Sequence, residues 1–259
     1  MKNLIKSIVY EVVRSKLLII VYSAMAVLMF VLGIINSKDS FTSGMYVQDA
    51  SLTYTFPLFV IAAVVGIVIC PDYRDKVSNY EILSGHSRSS VYFARTLCAV
   101  IPGAFMAYLL TFLPLLSGII VRGWGDRLLL SDVLLRQILF IFPFIRIASF
   151  TACLAFVFKS EYILMALGVV YSFGSLFLTS IYADVSSSVY TGFYNLNYLM
   201  SYDKWSIYNI SPTEGIVRYA SATGSVNITM VIATVAVSVL MTLVYLFIGY
   251  AMLKKSEMN

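Results

Sequence analysis

Residues 97–121 read LCAVIPGAFMAYLLTFLPLLSGIIV, twenty-five positions without one charged residue. As a helix rising 1.5 Å per residue, the run is about 37 Å long, more than the roughly 30 Å of a bilayer's hydrocarbon core. Five further runs of spanning length flank it, at 17–35, 52–70, 137–158, 162–182 and 226–253. Hydrophobic residues make up 60% of the 259-residue chain and charged residues 12%, about half the charged fraction of a soluble domain. The mean hydropathy is +0.87. The expected fold is all-α: a polytopic membrane protein with six transmembrane helices in a single transmembrane domain, residues 1–259.

Orientation follows from the placement of Lys and Arg. With a cytoplasmic N-terminus, the inner segments hold Lys2, Lys6, Arg14, Lys16, Arg74, Lys76, Arg88, Arg95, Lys159, Lys254 and Lys255. The outer segments hold Lys38, Arg122, Arg127, Arg136, Lys204 and Arg218, and Arg146 is left inside a span. Eleven against six places both termini in the cytoplasm by the positive-inside rule. The first apolar run is of spanning length, follows a basic segment and lacks a small-residue exit, so an uncleaved signal anchor is expected. The sequence pI of about 9.0 is explained by inner Lys and Arg meeting anionic lipid, with no call for a nucleic-acid partner. Cys70, Cys98 and Cys153 lie in or at the ends of spans and read as small apolar residues, not as metal ligands or a disulfide framework.

Ahead of the first span, Leu4, Ile5, Ile8, Val9, Val12 and Val13 recur at three-to-four spacing, with Lys2, Lys6, Glu11 and Arg14 opposite. Residues 2–16 are therefore expected to form a helix in the membrane interface; the plainer alternative is a basic flank that only orients the first span. Ala62 and Gly66 in the second run form a small-xxx-small pair of the kind that lets helices approach closely. Spans four and five are joined by little more than Lys159, Ser160 and Glu161, which predicts a tight antiparallel hairpin. Residues 183–225 form the longest segment outside the spans and are rich in tyrosine, among them Tyr194 and Tyr198. They suit either an aromatic belt at headgroup depth or an outer gate.

Residues 71–95, PDYRDKVSNYEILSGHSRSSVYFAR, form the most charged loop. At its centre, Tyr80, Glu81, Ile82, Leu83, Ser84 and Gly85 make a compact apolar and hydroxyl-rich patch suited to docking on a partner. Gly85-His86-Ser87-Arg88-Ser89 comes within one residue of a nucleophile elbow. His86 is the only histidine and adjoins Ser87 in sequence, and no span carries a carboxylate pair, so an enzyme is not expected. No phosphate-binding loop motif occurs; ATP-driven work would need another subunit. Arg146 lies thirteen residues, about 20 Å, from Lys159. It could line a polar cavity and meet an anionic or polar part of a substrate, or bond to the carbonyls of a neighbouring helix.

The order of elements resembles the permease subunits of type-two ABC exporters, the bacterial group that includes drug, antimicrobial-peptide and bacteriocin-immunity transporters. The similarity covers the whole length: an interfacial helix, six spans, a basic loop between spans two and three, and a long outer segment before the last span. Its most specific stretch is residues 79–97, NYEILSGHSRSSVYFARTL, which looks like the family's acidic residue, glycine, hydroxyl-plus-arginine pair and tyrosine leading into span three. The resemblance implies a multi-pass protein of the bacterial cell membrane, paired with a second copy or a homologous permease. One cytoplasmic ATPase, carrying the ATP and Mg, would lie beneath each half. The cytoplasmic loop at 71–96 would hold the coupling helix, with Tyr80, Glu81, Ile82, Leu83, Ser84, Gly85 and Arg88 at the ATPase groove. Arg146 would then belong to the translocation cavity and Phe193, Tyr194 and Tyr198 to an outer gate. An ATP-independent sensor, immunity protein or carrier is the alternative, recognised by function without an ATPase or by dependence on a gradient.

Overall fold

The computed structural model describes residues 2–36, 57–70, 85, 87–123, 130–170 and 228–256. Among the described residues the secondary structure is helical, with no strand. We number the helices α1 (Lys2–Arg14), α2 (Lys16–Asn36), α3 (Pro57–Ile69), α4 (Arg88–Arg122), α5 (Leu130–Phe158), α6, described over Glu161–Val170, and α7 (Ile228–Ser256). Stretches of α2, α4, α5 and α7 are long and apolar enough to cross a membrane, the architecture of a membrane protein. The shorter α3 is apolar throughout, and α6 is apolar after Glu161 at its start.

α1 and α2 are separate helices because the chain breaks at Ser15. Its N–H closes the last turn of α1 on the Val12 carbonyl at 3.2 Å, while its hydroxyl accepts from the Leu18 N–H at 3.4 Å, the position of an N-cap. Ile8 and Val12 of α1 are buried, whereas Val9, Tyr10 and Val13 are exposed. The helix thus lays one apolar stripe on the bundle and leaves a second uncovered.

α4 starts nine residues before the run at 97–121, so the last third of the expected loop at 71–96 is helical. The early start has a local and a distant cause. Ser87 has extended backbone and accepts from the Ser90 N–H at 3.2 Å, capping the new helix start. Ser89, Tyr92 and Arg95 of its first two turns find partners on other helices, so these polar side chains need not end the helix. The Ser87 hydroxyl also lies 2.8 Å from that of Ser90. Gly85, two residues earlier, has φ 94°, in the region where a Cβ is penalised. At thirty-five residues α4 is about 52 Å long, well beyond a hydrocarbon core. α5 likewise begins at Leu130, ahead of the run at 137–158.

Contacts between helices fix their relative sense. Arg95 reaches Val68 while Gly103 lies against Val64 and Ile61, so α3 and α4 are antiparallel. Tyr92 meets Leu246 and Ser89 meets Tyr250, making α4 and α7 antiparallel. Phe150 packs on Tyr245 while Gly249 lies beside Cys153, so α5 and α7 are parallel. Gly33 rests on Pro114 and Ser117, and Leu18 and Cys98 share a groove, so α2 and α4 are parallel. Gly168 touches Ala62 and Glu161 lies beside Gly66, so α3 and α6 are antiparallel. The sense therefore reverses at every step from α2 to α7. The small pair Ala62 and Gly66 is the surface on which α6 packs.

α5 and α6 are joined through Lys159 and Ser160 alone. The Lys159 N–H bonds the Ala155 carbonyl at 3.0 Å and its φ is 54°, the left-handed conformation that ends many helices. A non-glycine residue there costs about 1–2 kcal/mol. Lys159→Gly should therefore raise the thermal midpoint of the purified protein, by roughly 1 kcal/mol of stability, and Lys159→Ile should lower it.

The core lies between α3, α4 and α5, where Ile61, Val64, Ala94, Leu110 and Ala148 are fully buried. α2 and α7 flank it and expose apolar faces, Ile19, Ile20 and Val27 on one and Leu240, Leu243 and Phe247 on the other. Small residues mark the close approaches, as expected where lipid replaces water and association depends on packing.

Candidate functional site

Two polar regions lie inside the bundle. The first sits at the end where α3 and α5 finish and α4 begins. The Tyr92 hydroxyl donates to the Leu246 carbonyl at 2.6 Å, and the hydroxyls of Ser89 and Tyr250 lie 3.0 Å apart. The Tyr92 ring lies 5.0 Å from Phe156 and 5.3 Å from Tyr250. Three helices thus meet on one side chain. Gly249 makes this possible: a Cβ there would lie 2.8 Å from the Tyr92 hydroxyl.

Arg95 completes this region. It is 6% exposed, and its guanidinium donates to the Val68 carbonyl at 3.3 Å. Val68 lies in the last turn of α3, where main-chain carbonyls lack helical partners, and a cation near a helix C-terminus also meets the negative end of its dipole. The bond ties the start of α4 to the end of α3.

Tyr92→Phe should cost about 1 kcal/mol, the usual net worth of such a hydrogen bond, read as a lower thermal midpoint. Gly249→Ala should cost more in the native protein than in the Tyr92→Phe background, where the clashing oxygen is gone. Equal costs in a double-mutant cycle would remove Tyr92 as the constraint on that glycine.

The second region lies at mid-depth between α5 and α7. Arg146 is 2% exposed. The register of Phe150 on Tyr245 and Cys153 beside Gly249 sets Arg146 level with Thr242, one turn before Tyr245. Ser238, Thr242, Tyr245 and Gly249 recur at four-three-four spacing and form one face of α7. The hydroxyls of Ser238 and Thr242 are buried with no hydrogen-bond partner among the described residues, a condition worth about 1–3 kcal/mol each. Ser149 on α5 satisfies its own hydroxyl on the Ile145 carbonyl at 2.8 Å. The seam between α5 and α7 is therefore a strip of polar atoms in an apolar bundle, with one buried cation.

Of the expected site residues, Arg146 is in this seam, Gly85 is in a turn and Arg88 is the first residue of α4. Tyr80, Glu81, Ile82, Leu83, Ser84, Phe193, Tyr194 and Tyr198 lie outside the described residues. Sequence reasoning assigned Arg95 to a loop, noted Tyr92 only as the tyrosine leading into span three, and did not single out Tyr250. The usable signal was the apolar continuity of Val91, Phe93 and Ala94 upstream of Leu97, which carries the helix past its arginine. Among the described residues no group of three His, Cys, Asp or Glu is placed to hold a metal. Comparison with known proteins gives no matching family model and no match among curated proteins.

Proposed function

We propose that this chain is the membrane-spanning permease subunit of an ATP-driven ABC exporter, with six spans and both termini in the cytoplasm, working beside a separate ATPase. The observation that carries the reading is the anchoring of the loop at 71–87. Arg95 ties the start of α4 to the end of α3, and Tyr92 and Ser89 fasten the emerging α4 to α5 and α7. A force applied to such a loop moves four helices, α3, α4, α5 and α7, as one body. That is what a permease needs if closure of an ATPase pair is to become movement in the membrane. The strict reversal of helix sense and the docked α1 support the same reading.

In this scheme Glu81 and Arg88 seat the loop on the ATPase, with Tyr80, Ile82, Leu83, Ser84 and Gly85 as the apolar and hydroxyl contacts. ATP, with Mg, binds the partner subunit and supplies the energy. Two permease copies, or this chain and a homologous one, alternate between inward and outward openings. Nucleotide shifts that balance only by its different affinity for the two states. The seam of Arg146, Ser238 and Thr242 offers an anionic or polar part of a peptide, drug or lipid-like cargo its hydrogen bonds as α5 and α7 part. Release passes residues 183–225, with Phe193, Tyr194 and Tyr198 at the exit.

The test is to purify the tagged chain from its own cells in mild detergent and identify its companions by mass spectrometry. A variant with Tyr80 to Leu83 replaced by alanine is treated in parallel. Recovery of a subunit with phosphate-loop motifs by the native chain alone is the expected result. Isolation of a folded chain without such a subunit would turn the reading to a sensor, immunity protein or carrier.

A further inference from the structure

An apolar groove of about 370 Å³ lies where α1, α2 and α4 meet. Val9 and Val13 form one wall, Leu18 and Tyr22 another, and Pro102 and Met106 the floor. Its origin is local. Pro102 has no N–H for the Cys98 carbonyl and its ring crowds that turn of α4, and both residues line the groove. From Cys98 to Met106 the slot follows α4 for about 12 Å. Its upper lip is the apolar stripe that α1 leaves uncovered, Val9 at 42% and Val13 at 67% exposed.

The rim is cationic. On the helical wheel of α1, Lys6 falls beside Val9 and Val13, with Tyr10 and Arg14 next to it. The Arg14 guanidinium lies 4.9 Å from the centre of the Tyr10 ring, which holds it over the surface of α1. Lys16, at the first turn of α2, is exposed, as are Lys6 and Arg14. α1 ends where the membrane-length stretch of α2 begins, at Lys16, and the groove runs from it along α2 and α4. Positive charge therefore stands at headgroup depth and apolar surface below it.

We propose that this groove binds one anionic phospholipid, its acyl chain between Val13, Tyr22 and Met106 and its phosphate among Lys6, Arg14 and Lys16. A second copy of the chain in a two-fold contact would bring three more cations to the same rim, where like charges repel. A zwitterionic lipid would cover the slot but leave the cations unmatched. The site stands independently of the permease reading.

The full chain, delipidated in detergent, is titrated with phosphatidylglycerol and with phosphatidylcholine of identical acyl chains, and bound lipid is counted by native mass spectrometry. Phosphatidylglycerol should be retained as a single adduct, with a preference of about fivefold for each basic residue that engages it. The triple variant Lys6→Gln, Arg14→Gln, Lys16→Gln changes only exposed side chains and should lose the preference while still binding either lipid weakly. Ser23→Phe, at an exposed position lining the groove, should block the single adduct of both lipids. Equal retention of the two lipids by the native chain would overturn the proposal, as would an undiminished preference in the triple variant or an unchanged adduct in Ser23→Phe.

Discussion

Gly33→Leu should leave little folded protein to purify, because no side chain fits where α2 crosses α4. A Cβ at Gly33 would overlap the Ser117 hydroxyl and lie 2.7 Å from the Pro114 Cα and 2.8 Å from its carbonyl oxygen. The last two are main chain and cannot rotate away. Helix propensity favours alanine over glycine by about 1 kcal/mol, but crowding a packed contact costs about 1–3 kcal/mol and sometimes more. With backbone atoms at 2.7 and 2.8 Å the steric term sits toward the upper end of that range and wins even for Gly33→Ala, with a net loss of about 1–2 kcal/mol. Leucine should exceed that enough to send the chain to aggregate on size exclusion. Ala24→Leu on an exposed face of the same helix is the control and should be neutral. Ser117→Ala should recover only part of the Gly33→Ala loss, since it removes the hydroxyl and leaves Pro114 in place. Full recovery would show that the side chain, not the backbone, sets the limit.

The second large effect concerns coupling. On the proposed reading, changing Glu81 and Arg88 together to alanine should leave a folded chain and a partner ATPase that still hydrolyses ATP, while cargo moved per ATP falls at least tenfold. Arg88 is the more telling residue. It occupies the first position of α4, which has no acidic residue in its first turn, and a cation there opposes the helix dipole by about 0.3–1 kcal/mol. Transport and hydrolysis measured together in proteoliposomes decide the matter: an unchanged ratio in the double variant would sink the assignment of this loop, and loss of the complex would be seen first as loss of the co-purified subunit.

Much of the fold could be read from residue order because helices in a membrane are written locally. The run at 17–35 is α2 to within one residue at each end, since it is bounded by Lys16 and a polar segment. The turn at Lys159 and Ser160 was legible for the same reason. The pair Ala62 and Gly66 announced a close contact, although its partner, α6, could not be named from spacing. What escaped was pairing. Tyr92 and Leu246 are 154 positions apart, and no local pattern joins them. Gly33 stands in a helix apolar on all sides, where periodicity does not reveal which face turns inward. Arg95 was taken as the last residue of a charged loop. Its bond to a carbonyl at the end of α3 makes it tolerable and lets the helix run on. The candidate site divides along the same line: Arg146 was visible as a lone charge in an apolar run, but its alignment with Ser238 and Thr242 depends on the register of two helices almost a hundred residues apart.

The brevity of the turn after α5 bears on how the chain is made. An isolated α5 would have to leave the translocon with an arginine near its middle, at a cost of about 2.5–3.5 kcal/mol on the insertion scale. Two residues cannot hold α5 and α6 apart during synthesis. The helices must enter the bilayer as one hairpin, and the apolar length of α6, with Ile163, Leu164 and Met165 at its start, helps carry the charge in. Lengthening that turn with a flexible glycine-serine insert should let α5 stall alone at the membrane, so that a glycosylation tag placed after it reports a mixed topology during biogenesis. In the finished protein the same insert would disturb almost nothing.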